Sequence, residues 1–512
     1  MPHRTWREAF ATYASPSAMV LLLLGFTAGL PMILVFSTLS VWLREAGVAR
    51  ETIGYASLIG LAYAFKWVWS PLLDQWRLPL LGTLGRRRSW LVLSQLLIAT
   101  GLAGMALFDP KTHLAGLIAV AVLVAFASAT LDIALDAYRL EIAEDTQQAA
   151  LAACYTTGYR IAMLLATAGA LFLAEGFGST AEGYVHAAWS STYLLFALLM
   201  LPGLLTTLGM KEPALPAPLK PGSLRYGLTH QLLSVLVLIV LLISVPAMFT
   251  QLYHSGVDGV FSSRVSLLDL LLDDRAFLRF TLYTLLTLLC LSSFGRRGLA
   301  PVLTPISDFI QRYRWQALIL LGLIATYRMS DTVMGVMANV FYVDLGFSKD
   351  EIASISKLFG LVMTLLGAAT GGVLIARFGI LPILFLGGLF SAATNLLFAL
   401  LSGMGPNLEM LVFTISADNF SGGLATAAFI AYLSSLTNLQ FSATQYALLS
   451  SIMLLLPRLM GGYSGVMVEQ LGYGDFFLVT ALLGIPTLLL IALQWRRGQS
   501  TTSAHPLPGS DA

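Results

Sequence analysis

Long apolar runs separated by short polar stretches dominate the chain, and their spacing predicts membrane-spanning helices. A spanning helix needs about 20 mainly apolar residues. Runs of that kind occur at 17–42, 53–73, 90–108, 114–137, 150–174 and 188–208. A second set lies at 316–343, 352–375, 381–402, 409–435, 443–466 and 476–494. Between the sets, runs at 230–249 and 277–294 read either as two further spans or as a re-entrant pair. A polar stretch with Pro213, Pro216, Pro218 and Pro221 precedes them. The pattern therefore predicts an all-α polytopic membrane protein of 6 + 6 helices. An N-terminal six-helix bundle takes 1–210, a central linker with about two extra helices takes 211–315, and a C-terminal six-helix bundle takes 316–498. The polar tail at 499–512 is expected to be disordered.

Cations divide the short loops into two kinds, and such loops carry their excess of Lys and Arg on the cytoplasmic side. One kind holds Arg4 and Arg7, Arg77 with Arg86, Arg87 and Arg88, then Arg139, Lys211, Arg296, Arg312, Arg377 and Arg496. The other holds Lys111, Asp344, Glu409, Glu469 and Asp475. Both termini are thus expected in the cytoplasm, with the first helix uncleaved because its apolar run is too long for a signal peptide.

Composition sharpens this reading. The chain is 57% hydrophobic and 11% charged, against about 25% charged in soluble domains, and its mean hydropathy is +0.80. The lipid bilayer is its solvent. A net charge of +2 without a basic stripe gives no footprint for nucleic acid. Cys154 and Cys290 both lie in apolar runs, so neither a disulfide framework nor a metal site is expected. The absence of a nucleophile–base arrangement argues against an enzyme. Glycine pairs such as Gly371-Gly372, Gly422-Gly423 and Gly461-Gly462 let helices approach closely.

Chemistry then falls to the charges inside the runs. Each costs at least about 2.5–3.5 kcal/mol at the bilayer centre, so each needs a partner or a watery cavity. Arg160 and Arg458 lie at matching depths in the two halves, each fourteen residues after a Thr-Gln pair, Thr146-Gln147 and Thr444-Gln445. This is a weak internal repeat. Lys66, among Tyr63, Phe65, Trp67 and Trp69, and Arg328, Asp331 and Asp418 are the other deep charges. Asp132, Asp136 and Arg139 share one helical face at i, i+4 and i+7. Two carboxylates so placed repel, so a cation sits between them or one holds a proton. Asp132 is the deeper and is the candidate proton-coupling residue. Asp136 and Arg139 are expected in a gate with Asp74, Arg86, Arg87 and Arg88, the alternative for the arginine run being simple membrane anchoring.

Several stretches resemble the AmpG-type muropeptide permeases of the major facilitator superfamily. They are Gly25–Pro31, Ala62–Asp74, Gly85–Trp90, Asp132–Asp136 and Gly158–Arg160 in the first half, and Lys357–Gly360, Asp418-Asn419, Gly422-Gly423 and Phe441–Ser450 in the second. The resemblance implies a bacterial inner-membrane importer of anhydromuropeptides (GlcNAc-anhydro-MurNAc peptides), working by alternating access and driven by the proton gradient without a cofactor. It would serve peptidoglycan recycling and, through its cytoplasmic products, β-lactamase induction. Leu131 stands where the family usually has glutamine, which leaves the choice of substrate open. For such a solute, Lys66, Arg160 and Arg458 are candidate carboxylate partners, with Arg328, Asp331, Asn419 and Tyr63 as further substrate-binding groups. A monomer is expected. The competing readings are a transporter of another polar solute, acyl-CoA-like or drug, and a non-transporting membrane sensor.

Overall fold

The computed structural model describes residues 11–48, 59, 61–76, 78, 81–142, 145–179, 183–214, 299–348, 351–461 and 463–502, with scattered residues between 233 and 293. Among them all regular structure is helical. The N-terminal half contains α1 (Pro16–Glu45), α2 (61–75), α3 (Arg86–Met105), α4 (Pro110–Ile142), α5 (Asp145–Leu164, continuing to Gly176) and α6 (His186–Gly209). A short helix, α7 (Ala300–Tyr313), leads into the C-terminal half. That half contains α8 (Gln316–Thr326 and Met329–Asp344), α9 (352–378), α10 (Ile380–Met404), α11 (Leu408–Leu436), α12 (Ser442–Gly461), α13 (Ser464–Leu482) and α14 (Ile485–Thr502). By length and composition, eight described helices can cross a membrane, or up to nine if the bent pair beginning with α11 is one span.

Local chemistry sets the helix ends. Ser15 accepts from the Ala18 N–H at 3.2 Å and Pro16 opens the helix, where its missing N–H costs nothing. Asn407 caps α11 by accepting from Met410 N–H at 2.9 Å. Gly85, with φ 117°, has no capping side chain, and Glu212 supplies one from beyond α6. Its carboxylate accepts from the N–H groups of Arg87 at 2.7 Å and Arg88 at 3.0 Å. Large apolar residues such as Leu107 and Phe172 point outward, as a lipid solvent allows.

The boundaries depart from the hydropathy reading in particular places. The described part of the run at 53–73 is not one helix but Leu61–Ala64, a 3-10 turn at Lys66–Val68, and Ser70–Gln75. Phe65, with φ −100° and ψ 8°, leaves helical geometry there, a few residues before Pro71. The span read at 316–343 breaks at Arg328, whose φ of −96° and ψ of 8° end one helix before the next starts. Gly472, with φ 75°, turns the chain inside α13. Helix α14 runs to Thr502, past the expected start of the tail at 499. Most of the runs at 230–249 and 277–294 lies outside the described residues.

Candidate functional site

A cavity of about 740 Å³ lies between the halves, within the usual range of about 300–1,000 Å³ for ligand sites. Helix α5 contributes Arg160 and Thr167 to it, α8 contributes Arg328, Asp331 and Tyr342, and α11 contributes Asp418 and Asn419. The break in α8 is what presents Arg328: at a helix junction its side chain is free to reach α11, and its Nη1 donates to Thr426 Oγ1 at 2.5 Å. Its Nε lies 3.8 Å from Asp331. Arg160 faces it from the other half, close enough for the two guanidinium groups to repel. One cation from each half thus projects into one space, which is an arrangement suited to an anionic group bridging them.

Asp331 and Asp418 are tied to two hydroxyls one turn apart on α10. Ser391 donates to Asp331, and Thr394 donates to Asp418 at 3.1 Å. Behind them Asn395 donates to Ser330 at 2.9 Å. Asn419 accepts from Thr364 at 3.0 Å, which fixes it against α9.

A second polar group is enclosed within the N-terminal half. Asp132 sits ten residues before the end of α4, or about 15 Å at 1.5 Å per residue. Among the described residues its Oδ1 is buried without a hydrogen-bond partner, as is the Tyr63 hydroxyl. Lys66 acts electrostatically on both Asp132 and Asp136. Neither Asp132, Lys66 nor Tyr63 is among the residues that line the 740 Å³ cavity.

At the arginine-rich end the halves are locked together. Arg87, fully buried, donates to Asp74 at 2.8 Å and to Glu141 at 2.7 Å. Across the seam Asp74 accepts from the Thr444 hydroxyl at 2.7 Å and from the N–H groups of Ala443 and Thr444 at 3.0 and 2.8 Å. Ser442 donates to Glu141 at 2.7 Å. The carboxylate of one half therefore caps the first turn of α12 in the other, joining ion pairing to helix capping. Nearby, Tyr13 donates to the Ala369 carbonyl at 2.7 Å. Arg139 donates to Ser434 at 3.0 Å and lies 5.2 Å over the Tyr446 ring.

Two halves of helices, a cavity between them and a lock at one end describe a familiar class of membrane protein. Residues 21–330 match the profile of the Major Facilitator Superfamily. The chain belongs to this superfamily. Within it, AmpG-type proteins are its relatives. The Rickettsia conorii transporter named AmpG 4 is 30% identical, over 92% of this chain and 94% of that one. The anhydromuropeptide permease of Escherichia coli K12 is 29% identical, over 94% of this chain and 80% of that one. The human organic anion transporter MFSD10 (TETRAN) shares the fold, with a TM-score of 0.58 at 14% identity over 93% of this chain and 100% of that one.

In this major facilitator chain the structure sorts the sequence candidates into three places. Arg160, Arg328, Asp331 and Asn419 line the cavity. Lys66 and Tyr63, expected to bind substrate, do not line the cavity; Lys66, in the 3-10 turn at Lys66–Val68, and Tyr63, in Leu61–Ala64 before it, lie in the electrostatic field of Asp132. The Arg458 side chain lies outside the described residues. Among the gate candidates, Asp74, Arg86 and Arg87 meet, Arg86 lying 2.7 Å from Glu141. Arg88 does not join them; it binds the Thr207 and Leu208 carbonyls at the end of α6. Asp136 and Arg139 pair with each other at 3.6 Å rather than with Asp74 and the arginine run. Glu141 and Ser442 were missed, as was the cavity role of Asp418. Asp418 alone carried a signal, its charge inside an apolar run.

Proposed function

We propose that this protein imports anhydromuropeptides by alternating access with proton symport. The observation that carries the reading is the cavity with one arginine from each half, Arg160 and Arg328, above a sealed arginine-rich end. A muropeptide offers carboxylates to both cations, and its sugar hydroxyls and amides match Asn419, Thr167 and Thr426 along the same wall. The names of the relatives support this class of solute. The excess of arginine at the sealed end supports placing that end, and both termini with it, on the cytoplasmic side of a bacterial inner membrane, with the cavity facing the outside.

Uptake of labelled anhydromuropeptide into proteoliposomes, with and without an inward proton gradient, tests the reading. Gradient-stimulated uptake is expected, and no uptake under either condition overturns it. Competition by acyl-CoA or drugs, rather than by unlabelled muropeptide, would assign another polar solute. Arg160→Gln and Arg328→Gln should each raise the half-saturation concentration roughly tenfold or more, since hydrogen bonds to charged groups contribute about 1.5–3 kcal/mol.

Asp132 is the proposed proton-carrying group of the N-terminal half. Its carboxylate oxygen, without a partner among the described residues and enclosed beside Lys66 and Tyr63, has room for a proton in one state and a cation in the other. Asp132→Asn should retain muropeptide exchange without a gradient and lose about tenfold in accumulation per unit of pH difference. Full accumulation by this variant would remove Asp132 from the coupling.

A further inference from the structure

We propose that Asp331 and Asp418 form a proton site in the C-terminal half, with Asp418 carrying the proton, and that Arg328 ties its release to the departure of a bound anion. Only the identity of the anion rests on the muropeptide reading.

Three helices build the site. Asp331 comes from α8 and Asp418 from α11, while α10 holds both through Ser391 and Thr394. Both carboxylates line the cavity, so water can reach them, and each lies in the electrostatic field of the other. Their cation supply is unequal. Arg328 is 3.8 Å from Asp331 and is drawn away from it by Thr426 at 2.5 Å. Asp418 accepts from the Thr394 hydroxyl and stands farther from the guanidinium. The other groups facing the pair are Tyr327 toward Asp331 and Tyr342 toward Asp418, both neutral phenols. Arg160 approaches from α5 across the cavity.

Charge balance then gives the cycle. With a proton on Asp418, Arg328 and Asp331 neutralise each other and Arg160 is left with an unmatched positive charge. A substrate carboxylate entering between the two arginines draws Arg328 from Asp331. The aspartate pair has then lost its cation, and it keeps the proton because two bare carboxylates in a low-dielectric wall repel strongly. When the anion leaves, Arg328 swings back to the pair. The Asp418 O–H bond breaks, its electrons stay on the carboxylate, and a cavity water takes the proton. Proton and anion therefore favour one another's binding through their shared competition for one guanidinium, which is what symport requires.

The test uses the purified full-length chain. In an infrared pH titration, the protonated-carboxyl band that remains in Asp132→Asn should vanish in the double variant Asp132→Asn/Asp418→Asn. In proteoliposomes with a one-unit inward pH gradient, two titrating sites allow about hundredfold accumulation of labelled anhydromuropeptide, and Asp418→Asn should reduce it to about tenfold while gradient-free exchange persists. Asp418→Glu should restore both band and accumulation. In the Asp132→Asn background, Asp331→Asn should move the band to lower pH, because the carboxylate whose repulsion keeps the proton on Asp418 is gone. An unchanged band and unchanged accumulation in Asp418→Asn overturn the proposal. If the wild-type chain exchanges no muropeptide, the substrate reading falls, and the infrared titration still decides the proton site. If Asp418→Asn fails to fold, the Asp331→Asn titration decides it, a band left at its original pH counting against the pair.

Discussion

Asp74→Ala should open the arginine-rich end. In the sealed state Asp74 holds the buried Arg87 guanidinium at 2.8 Å and closes three donors at the start of α12, the Ala443 and Thr444 N–H groups and the Thr444 hydroxyl. With alanine there, those donors lose their acceptor among the described residues, and Arg87 keeps Glu141 as its acidic partner at 2.7 Å. Removing one member of a buried ion pair costs about 3–5 kcal/mol, and Glu141 reduces the loss to about 3 kcal/mol. In a state where this end has opened, water hydrates the same groups, so almost the whole penalty falls on the sealed state. The open population should rise roughly hundredfold. A cysteine at Ala153, in the small-residue cluster that Tyr13 covers together with Ala368 and Ala427, reports on this seam. Its labelling by a water-soluble thiol reagent, with Cys154 and Cys290 replaced by serine, should accelerate by about the same factor, because labelling follows the open fraction when opening is fast. Wild-type labelling in Asp74→Ala would show that the latch does not hold the seam. Asp74→Asn, which keeps one acceptor oxygen, should fall between the two.

The halves of this latch were not equally legible. The acid at the end of one span and the arginines before the next are neighbours in sequence, thirteen residues apart for Asp74 and Arg87, and the sequence pattern suffices to pair them. Thr444 lies 370 residues from Asp74, and Ser442 lies 301 from Glu141. No local pattern encodes such a pairing; it depends on the two bundles docking. The cavity divides in the same way. Arg160, Arg328, Asp331 and Asn419 were recognisable because a charge or amide in an apolar run has to find water or a partner, and each did. Lys66 satisfied the same rule differently, by turning toward Asp132, since hydropathy reports depth but not direction around the helix. The breaks at Phe65 and Arg328 were invisible to an apolar window, which counts residues without testing whether they continue one helix. Those two breaks aim the polar side chains, so the pattern located the spans better than it located the site.

Gly158→Val should abolish folding, whereas Gly422→Ala should leave the protein intact. A methyl carbon placed on Gly158 would lie 1.9 Å from the Leu22 carbonyl oxygen and 2.8 Å from the Phe26 nitrogen. Both obstacles are backbone of α1, so no rotamer change relieves them; α1 and α5 would have to part along their length. The cost lies well above the usual 1–3 kcal/mol of overpacking, because parting the helices also forfeits the dispersion contacts that hold helices together in lipid. The second half repeats the device, with Gly423 set against the Thr364 carbonyl oxygen of α9, where a methyl carbon would come within 2.1 Å. Gly422, its neighbour, has nothing within 4 Å and lines the cavity instead. Two adjacent glycines in one helix thus make opposite predictions. Size-exclusion profiles and thermal unfolding of detergent-solubilised protein should show Gly158→Val and Gly423→Val aggregated or absent, and Gly422→Ala within about 0.5 kcal/mol of wild type. A folded, monodisperse Gly158→Val would mean that α1 and α5 are not held at this distance, and the rigid seams on which the two halves rock would have to be sought elsewhere.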